Sequence, residues 1–253
     1  MDFESVLAKC HLHAVLPLLE DIVDYDAEAK SIVSGWNGTV QFSCPGGFGE
    51  YIEFANGRAK AHRGTTSWPT VALWFFSPRE LNKMFTGKGF TIPVPWKGLT
   101  RPGMLKGFIS LTKRLEYYMN TPESELPDEH RRFLVTLKLH AAVRALKEVG
   151  ENDPHVIDVT AHLPNGVAEL RVAPDGPVAH IRVANGVITP DVGPAENPNA
   201  VMEFKDIATA NALFNDQIDA MAALGSMDVR IEGMVPLIDG MNAILDRVGT
   251  YLS

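Results

Sequence analysis

The chain has 253 residues, 45% of them hydrophobic, enough for one or two small cores. A net charge of −8 argues against nucleic acid as the principal partner. The two cysteines, Cys10 and Cys44, supply no disulfide framework and no metal spacing.

Read in chain order, the first element is an amphipathic helix with Val6, Cys10, Ala14 and Leu18 on one side. Asp2 and Glu4 stand where an export signal needs positive charge, so a cytoplasmic protein is expected. No stretch approaches the roughly 20 apolar residues of a membrane span. The acids Glu20, Asp21, Asp24, Asp26 and Glu28 fit no calcium loop and are expected to be a solvated helix end. "EAKSIVSG" is read as helix, and three strands then follow quickly: "TVQFSC", "YIEFA" and "RAKAH", joined by Gly-Gly and Asn-Gly turns that suit antiparallel hairpins. "TVALWFF" is a further strand. Ser77 caps the next helix, with Pro78 at its first position. "TIPVPWKG" is an extended segment stiffened by prolines, either a rim over a cavity entrance or an edge strand protected from aggregation. A closing helix runs from Pro102 to Met119, and "NTPESELPDE" reads as a linker with a boundary near Pro122.

The order then repeats. A helix carries Phe133, Leu137, His140, Val143 and Leu146 on one stripe; "HVIDVTAHL" alternates as a strand would, but its counterpart "EAKSIVSG" is better spaced for a helix and both are read as helix. "VAELRV", "AHIRVA" and "VITPDV" form a meander, "AVMEF" is a strand, Asp206 caps a helix, and the closing helix spans Pro236 to Leu252. The repetition reaches individual residues. "IEFANG" (Ile52 to Gly57) returns as "IRVANG" (Ile181 to Gly186), 129 positions later. The same shift pairs Gly64 with Gly193, Pro69 with Pro198, Asn82 with Asn211 and Phe85 with Phe214. Near the end the shift becomes 133, pairing Gly107, Arg114 and Tyr118 with Gly240, Arg247 and Tyr251. Shared Gly and Pro are what two copies of one fold retain while side chains diverge. Two domains are therefore expected, 1–122 and 123–253.

Sites of chemistry are scarce in this pattern. "HLH" at His11 to His13 lies in a helical segment, where i and i+2 do not share a face. "CPGGFG" precedes a strand rather than opening a helix, "TGKG" lacks the upstream Gly of a phosphate loop, and no Gly-x-Ser-x-Gly elbow occurs. No catalytic residues, metal or cofactor are expected.

The phrases "NGTVQF", "IEFANGRAKAHRG" and "LWFFSPRELNKMFTGKG", and above all "MEFKDIATANALFNDQIDAMAALGSMDVRIEGMVPLIDGMNAIL", resemble the sterol carrier protein family over most of both halves. The resemblance implies an α+β fold of two sterol-carrier-like domains, each a mostly antiparallel five-stranded sheet covered by helices. It implies non-enzymatic binding and transfer of a lipid, fatty acid, acyl-CoA or sterol in an apolar cavity between the sheet and the closing helix. The expected lining is Phe85, Met104, Phe108, Leu111 and Leu115 in the first copy, and Phe214, Leu237, Met241, Ile244 and Leu245 in the second. The bland alternative is that these stripes are ordinary core.

Charge distinguishes the copies. From Arg58 to Arg114 eleven bases stand against Glu80 alone, whereas Val187 to Arg247 holds three bases and ten acids. Trp96, Lys97, Arg101 and Lys106 are the expected headgroup contacts for an anionic lipid, an acyl-CoA or transient membrane contact. Alternatively the opposite charges dock the two halves, or filled domains form an interaction module whose basic face binds a partner protein or anionic membrane.

Overall fold

A computed structural model of the chain describes residues 1–87, 93–97, 102–215 and 217–252. The chain divides into two compact units, Asp2–Pro122 and Glu123–Ser253, with Met1 grouped with the latter.

The first unit opens with α1 (Phe3–Cys10), capped by the Asp2 carboxylate, which accepts the Ser5 N–H. One long helix was the expectation up to Leu18, but His11–Val15 form a π-helical turn and α2 (Leu18–Tyr25) starts anew. Pro17 is the cause, since it has no N–H to donate and its ring crowds the preceding turn. α3 (Ala27–Val33) follows, then β1 (Gly38–Cys44), β2 (Phe48–Ala55), β3 (Arg58–Arg63), β4 (Val71–Trp74), α4 (Pro78–Thr86), β5 (Val94–Lys97) and α5 (Pro102–Asn120).

The sheet order is β3-β2-β1-β4-β5. Every pair is antiparallel except β1 and β4, which run parallel with Val40 opposite Val71 and Phe42 opposite Leu73. That register places Val40, Phe42, Val71 and Leu73 on the face that packs under the helices, where all four are buried. β5 is an edge strand, and its Pro95 has no N–H to offer a neighbouring chain.

The second unit begins with a short 3-10 turn (Glu123–Glu125) and α6 (Asp128–Asn152), followed by α7 (Ile157–Ala161), β6 (Gly166–Val172), β7 (Val178–Ala184) and β8 (Val187–Val192). It ends with β9 (Ala200–Phe204), α8 (Ile207–Phe214), α9 (Ala220–Gly225), β10 (Val229–Gly233) and α10 (Val235–Leu252). Its sheet order, β8-β7-β6-β9-β10, matches the first sheet strand for strand, with the central pair β6 and β9 again parallel. The stripe Phe133, Leu137, His140, Val143 and Leu146 is buried throughout.

Small contacts are shared as well. Asn56-Gly57 and Asn185-Gly186 each place two successive residues at positive φ, the geometry of a tight hairpin turn, and this is why the phrase recurs. Gln41 Oε1 accepts the Thr66 N–H in one unit, and Glu169 Oε2 accepts the Ala195 N–H in the other. Thr70 Oγ1 receives the Thr39 N–H, and Asn199 Oδ1 receives that of Val167.

Candidate functional site

The closing helix approaches its sheet differently in the two units. α10 lies close along β6, β9 and β10, with Leu237, Met241 and Ile244 fully buried and Leu245 half-buried. α5 packs on α2 and α3, as α10 packs on α6 and α7, and it meets its sheet through rings. Phe108 is the bridge, its ring centroid 5.6 Å from Phe42 and 6.2 Å from Phe54. Phe42 also meets Phe75 at 6.4 Å and Phe85 at 6.5 Å. Aromatic side chains thus form a layer between α5 and strands β1 and β2, and Leu111 and Leu115 continue the buried face of the helix.

This layer meets the surface at one end. In the first unit a groove of about 290 Å³ is lined by Gly35, Trp36, Asn37, Gly103 and Met104. Trp36 stands edge-on to Phe54 at 5.0 Å, so the groove's wall is continuous with the aromatic layer. Gly107 allows this approach, because a Cβ there would overlap Trp36 Cζ2. The second unit repeats the contact in smaller form, with Leu163 Cδ2 against Gly240.

The expected liners therefore fall into distinct places. Met104 is half-buried at the groove, Phe108, Leu111 and Leu115 are buried behind it, and Phe85 stacks on His11 at 4.8 Å. In the second unit Phe214 is half-buried, edge-on to Phe204 at 5.7 Å. Of the expected headgroup contacts, Trp96 and Lys106 are exposed, Lys97 sits over the Trp68 ring at 5.2 Å, and Arg101 lies outside the described residues.

Buried polar groups sit around this apolar region, and sequence reasoning missed most of them. Asp26 is not a solvated helix end. It is 5% exposed, caps α3 through the Ala29 N–H, and binds Arg114 and Tyr118 of α5, the hydroxyl at 2.7 Å. Burial would raise its pKa, but the bonds from Arg114, Ala29 and Tyr118 outweigh that and hold it below the usual carboxylate range. Burial and the same carboxylate push the Tyr118 phenol well above its ordinary value. Asp153 is held low in the same way in the second unit, by the His155 N–H, Arg247 and Tyr251, whose own pKa burial pushes up to about 12. The recurrence of Arg and Tyr four residues apart in both closing helices was the legible signal; their acidic partner lies too far away in sequence to read.

His11 Nδ1 lies 2.9 Å from Asn82 Oδ1, and the Asn82 amide donates to Glu4. Burial pushes the His11 pKa down to about 4, against the opposing pull of Asn82 and Glu4. His13 pairs with Glu50 at 2.7 Å, so the two histidines bind separate partners. In the second unit Glu123, Lys138, Asn211 and Asn215 form a comparable cluster. Among the described residues no group of three or more His, Cys, Asp or Glu is placed to hold a metal ion, and no helix is long and apolar enough to cross a membrane.

No family model matches the chain, and no curated protein matches it. Among solved structures it is similar to the UbiJ-SCP2 ubiquinone synthesis protein, at 14% identity over 45% of this chain and 95% of that one, with a TM-score of 0.35. It is also similar to palmitated SCP2L2 from Aedes aegypti, at 14% identity over 43% of this chain and 90% of that one, TM-score 0.33. A third similar structure is the sterol carrier protein domain 2 of Helicoverpa armigera, at 17% identity over 45% of this chain and 89% of that one, TM-score 0.33.

Proposed function

We propose that the chain is a non-enzymatic carrier of two sterol-carrier-like domains, 1–122 and 123–253, and that the first holds an apolar chain between α5 and its sheet. The observation that carries this reading is the aromatic layer itself. Where α10 lies against its sheet, α5 stands off on Phe42, Phe54 and Phe108, and the layer opens at the Trp36 and Met104 groove. Rings that turn aside vacate an elongated apolar slot, and Met104 is an adaptable side chain at its mouth. A fatty acyl tail entering there gains about 0.8 kcal/mol for each buried methylene, so no catalytic group is required for retention. In the second domain Phe214, Leu237, Met241, Ile244 and Leu245 are the corresponding lining.

The test is mass spectrometry of lipid that co-purifies with the full chain, together with uptake of a fluorescent fatty acid by the wild type and by Met104→Glu. Met104 is half-buried, so the variant should fold. A stoichiometric lipid, and uptake weakened at least about tenfold by the buried charge, is the expected result. A folded variant with unchanged uptake removes the groove from the proposal. A wild-type chain that neither carries nor takes up lipid removes the carrier reading in favour of an interaction module.

A further inference from the structure

The two sheets each have a second face, turned away from the helices, and the two units treat it in opposite ways. In the second unit it carries charge. Glu203 of β9 lies opposite Arg230 of β10 and accepts Arg171 Nε at 2.7 Å, while Lys205 Nζ reaches Asp228 at 3.0 Å. Glu203, Lys205, Asp228 and Arg230 line a groove of about 340 Å³, an ordinary ion-paired surface.

At the positions 129 earlier, Glu203 becomes Trp74, Lys205 becomes Phe76 and Asn197 becomes Trp68. Trp74 lies opposite Val94 of β5, as Glu203 lies opposite Arg230. Trp74 and Phe76 meet edge to face at 4.9 Å, and Phe76 is 66% exposed. Trp68 is 83% exposed beneath the Lys97 ammonium. A register shift in the pairing of β4 with β5 makes Trp96 the extra residue, and it is 57% exposed. Large apolar groups gathered at one edge of a sheet mark an interaction surface, all the more so where the matching surface in the same chain is charged.

We infer that this outer face of the first sheet, built from Trp68, Trp74, Phe76, Val94, Trp96 and Lys97, docks on the surface of an anionic phospholipid bilayer. Tryptophan with lysine at its rim is the combination suited to a bilayer's interfacial zone, the rings entering the headgroup region while the ammonium stays with the phosphates. The charge is complementary: Lys97 lies over the Trp68 ring, Arg79 is exposed three residues beyond Phe76, and both fall within a stretch of eleven bases and one acid. The groove at Trp36 and Met104 uses other residues, so this docking goes beyond the carrier reading and stands without it.

All four tryptophans of the chain fall in the first unit, which makes the test direct. The full chain is floated with vesicles of phosphatidylcholine alone and of equal parts phosphatidylcholine and phosphatidylglycerol, and tryptophan quenching by brominated acyl chains is recorded. The wild type should float with the mixed vesicles, be quenched, and detach as salt screens the lysine and arginine. Trp68→Glu with Trp96→Glu replaces two exposed rings, so it should fold, and partition should drop at least about tenfold. Restoring Phe at both positions should recover most of it. Failure of the wild type to float, or flotation of the double variant equal to wild type, overturns the inference. Self-association that the double variant abolishes, without flotation, reassigns the face to a second copy of the chain. Fatty acid uptake from solution separates the readings: a double variant that takes up fatty acid but no longer floats supports the docking face apart from the groove, and a wild type that floats yet takes up no fatty acid sinks only the carrier reading.

Discussion

The carboxylate of Asp153, at the end of α6, receives Arg247 of α10 at 2.8 Å, and in the first unit Asp26, at the end of α2, receives Arg114 of α5. Each pair is completed by a tyrosine hydroxyl one turn further along the closing helix, Tyr251 or Tyr118. The last helix of each unit is therefore tied to the end of an opening helix by a charge that is buried on one side. Removing one partner of such a pair leaves the other without compensation.

Asp153→Ala should accordingly cost about 3 kcal/mol, read as a lowered midpoint of denaturant unfolding by far-ultraviolet circular dichroism. Asp26→Ala should do the same in the first unit, where tryptophan fluorescence reports the loss. Against the opposing effect of burial, Arg114 and Arg247, with the backbone N–H and tyrosine bonds, hold both carboxyls below the usual carboxylate range in the folded chain. Their contribution is fully present above that range and is lost as pH falls through the still lower folded values, so wild type should be more acid-sensitive below about pH 4 than either variant. An unchanged midpoint in either variant would show the pair to be dispensable.

His11 sets a second, higher window. It is buried against Phe85 and Asn82 with a pKa pushed down to about 4 from 6.5. The unfolded chain binds the proton first, so stability is fully present above pH 6.5 and is lost as pH falls towards 4, by up to roughly 3 kcal/mol. His11→Gln should flatten the profile in this window. A ring titration by nuclear magnetic resonance near the ordinary imidazole value would contradict the assignment.

Gly107 and Gly240 occupy matching positions on the two closing helices but face unequal neighbours. Ala at 107 drives a Cβ into the rigid indole of Trp36, whereas Ala at 240 meets the flexible end of Leu163. Overpacking costs about 1–3 kcal/mol, against a helix gain of about 1 kcal/mol on losing Gly. Gly107→Ala should therefore be destabilised by about 1 kcal/mol with an altered tryptophan spectrum, and Gly240→Ala should stay within about 0.5 kcal/mol of wild type. Calorimetry of the two variants side by side makes the comparison, and equal effects would refute it.

The local order of the chain was legible from sequence. Asn-Gly and Gly-Gly turns, Ser77 and Asp206 caps and alternating strands depend on neighbours a few residues away, and the α+β architecture of two five-stranded sheets follows from them. The internal repeat extended that reach, since Arg114 and Tyr118 announced Arg247 and Tyr251 before any contact was known. What tertiary structure alone decided is which groups meet across the fold. Asp26 looked like one acid in a solvated cluster, and its burial depends on a helix 88 residues away. Likewise the contact of Trp36 with Phe54, and the gathering of Trp74, Trp96 and Trp68 at one sheet edge, depend on the pairing of β4 with β5 and on ring size. Periodicity records which way a side chain faces; only packing determines what it faces.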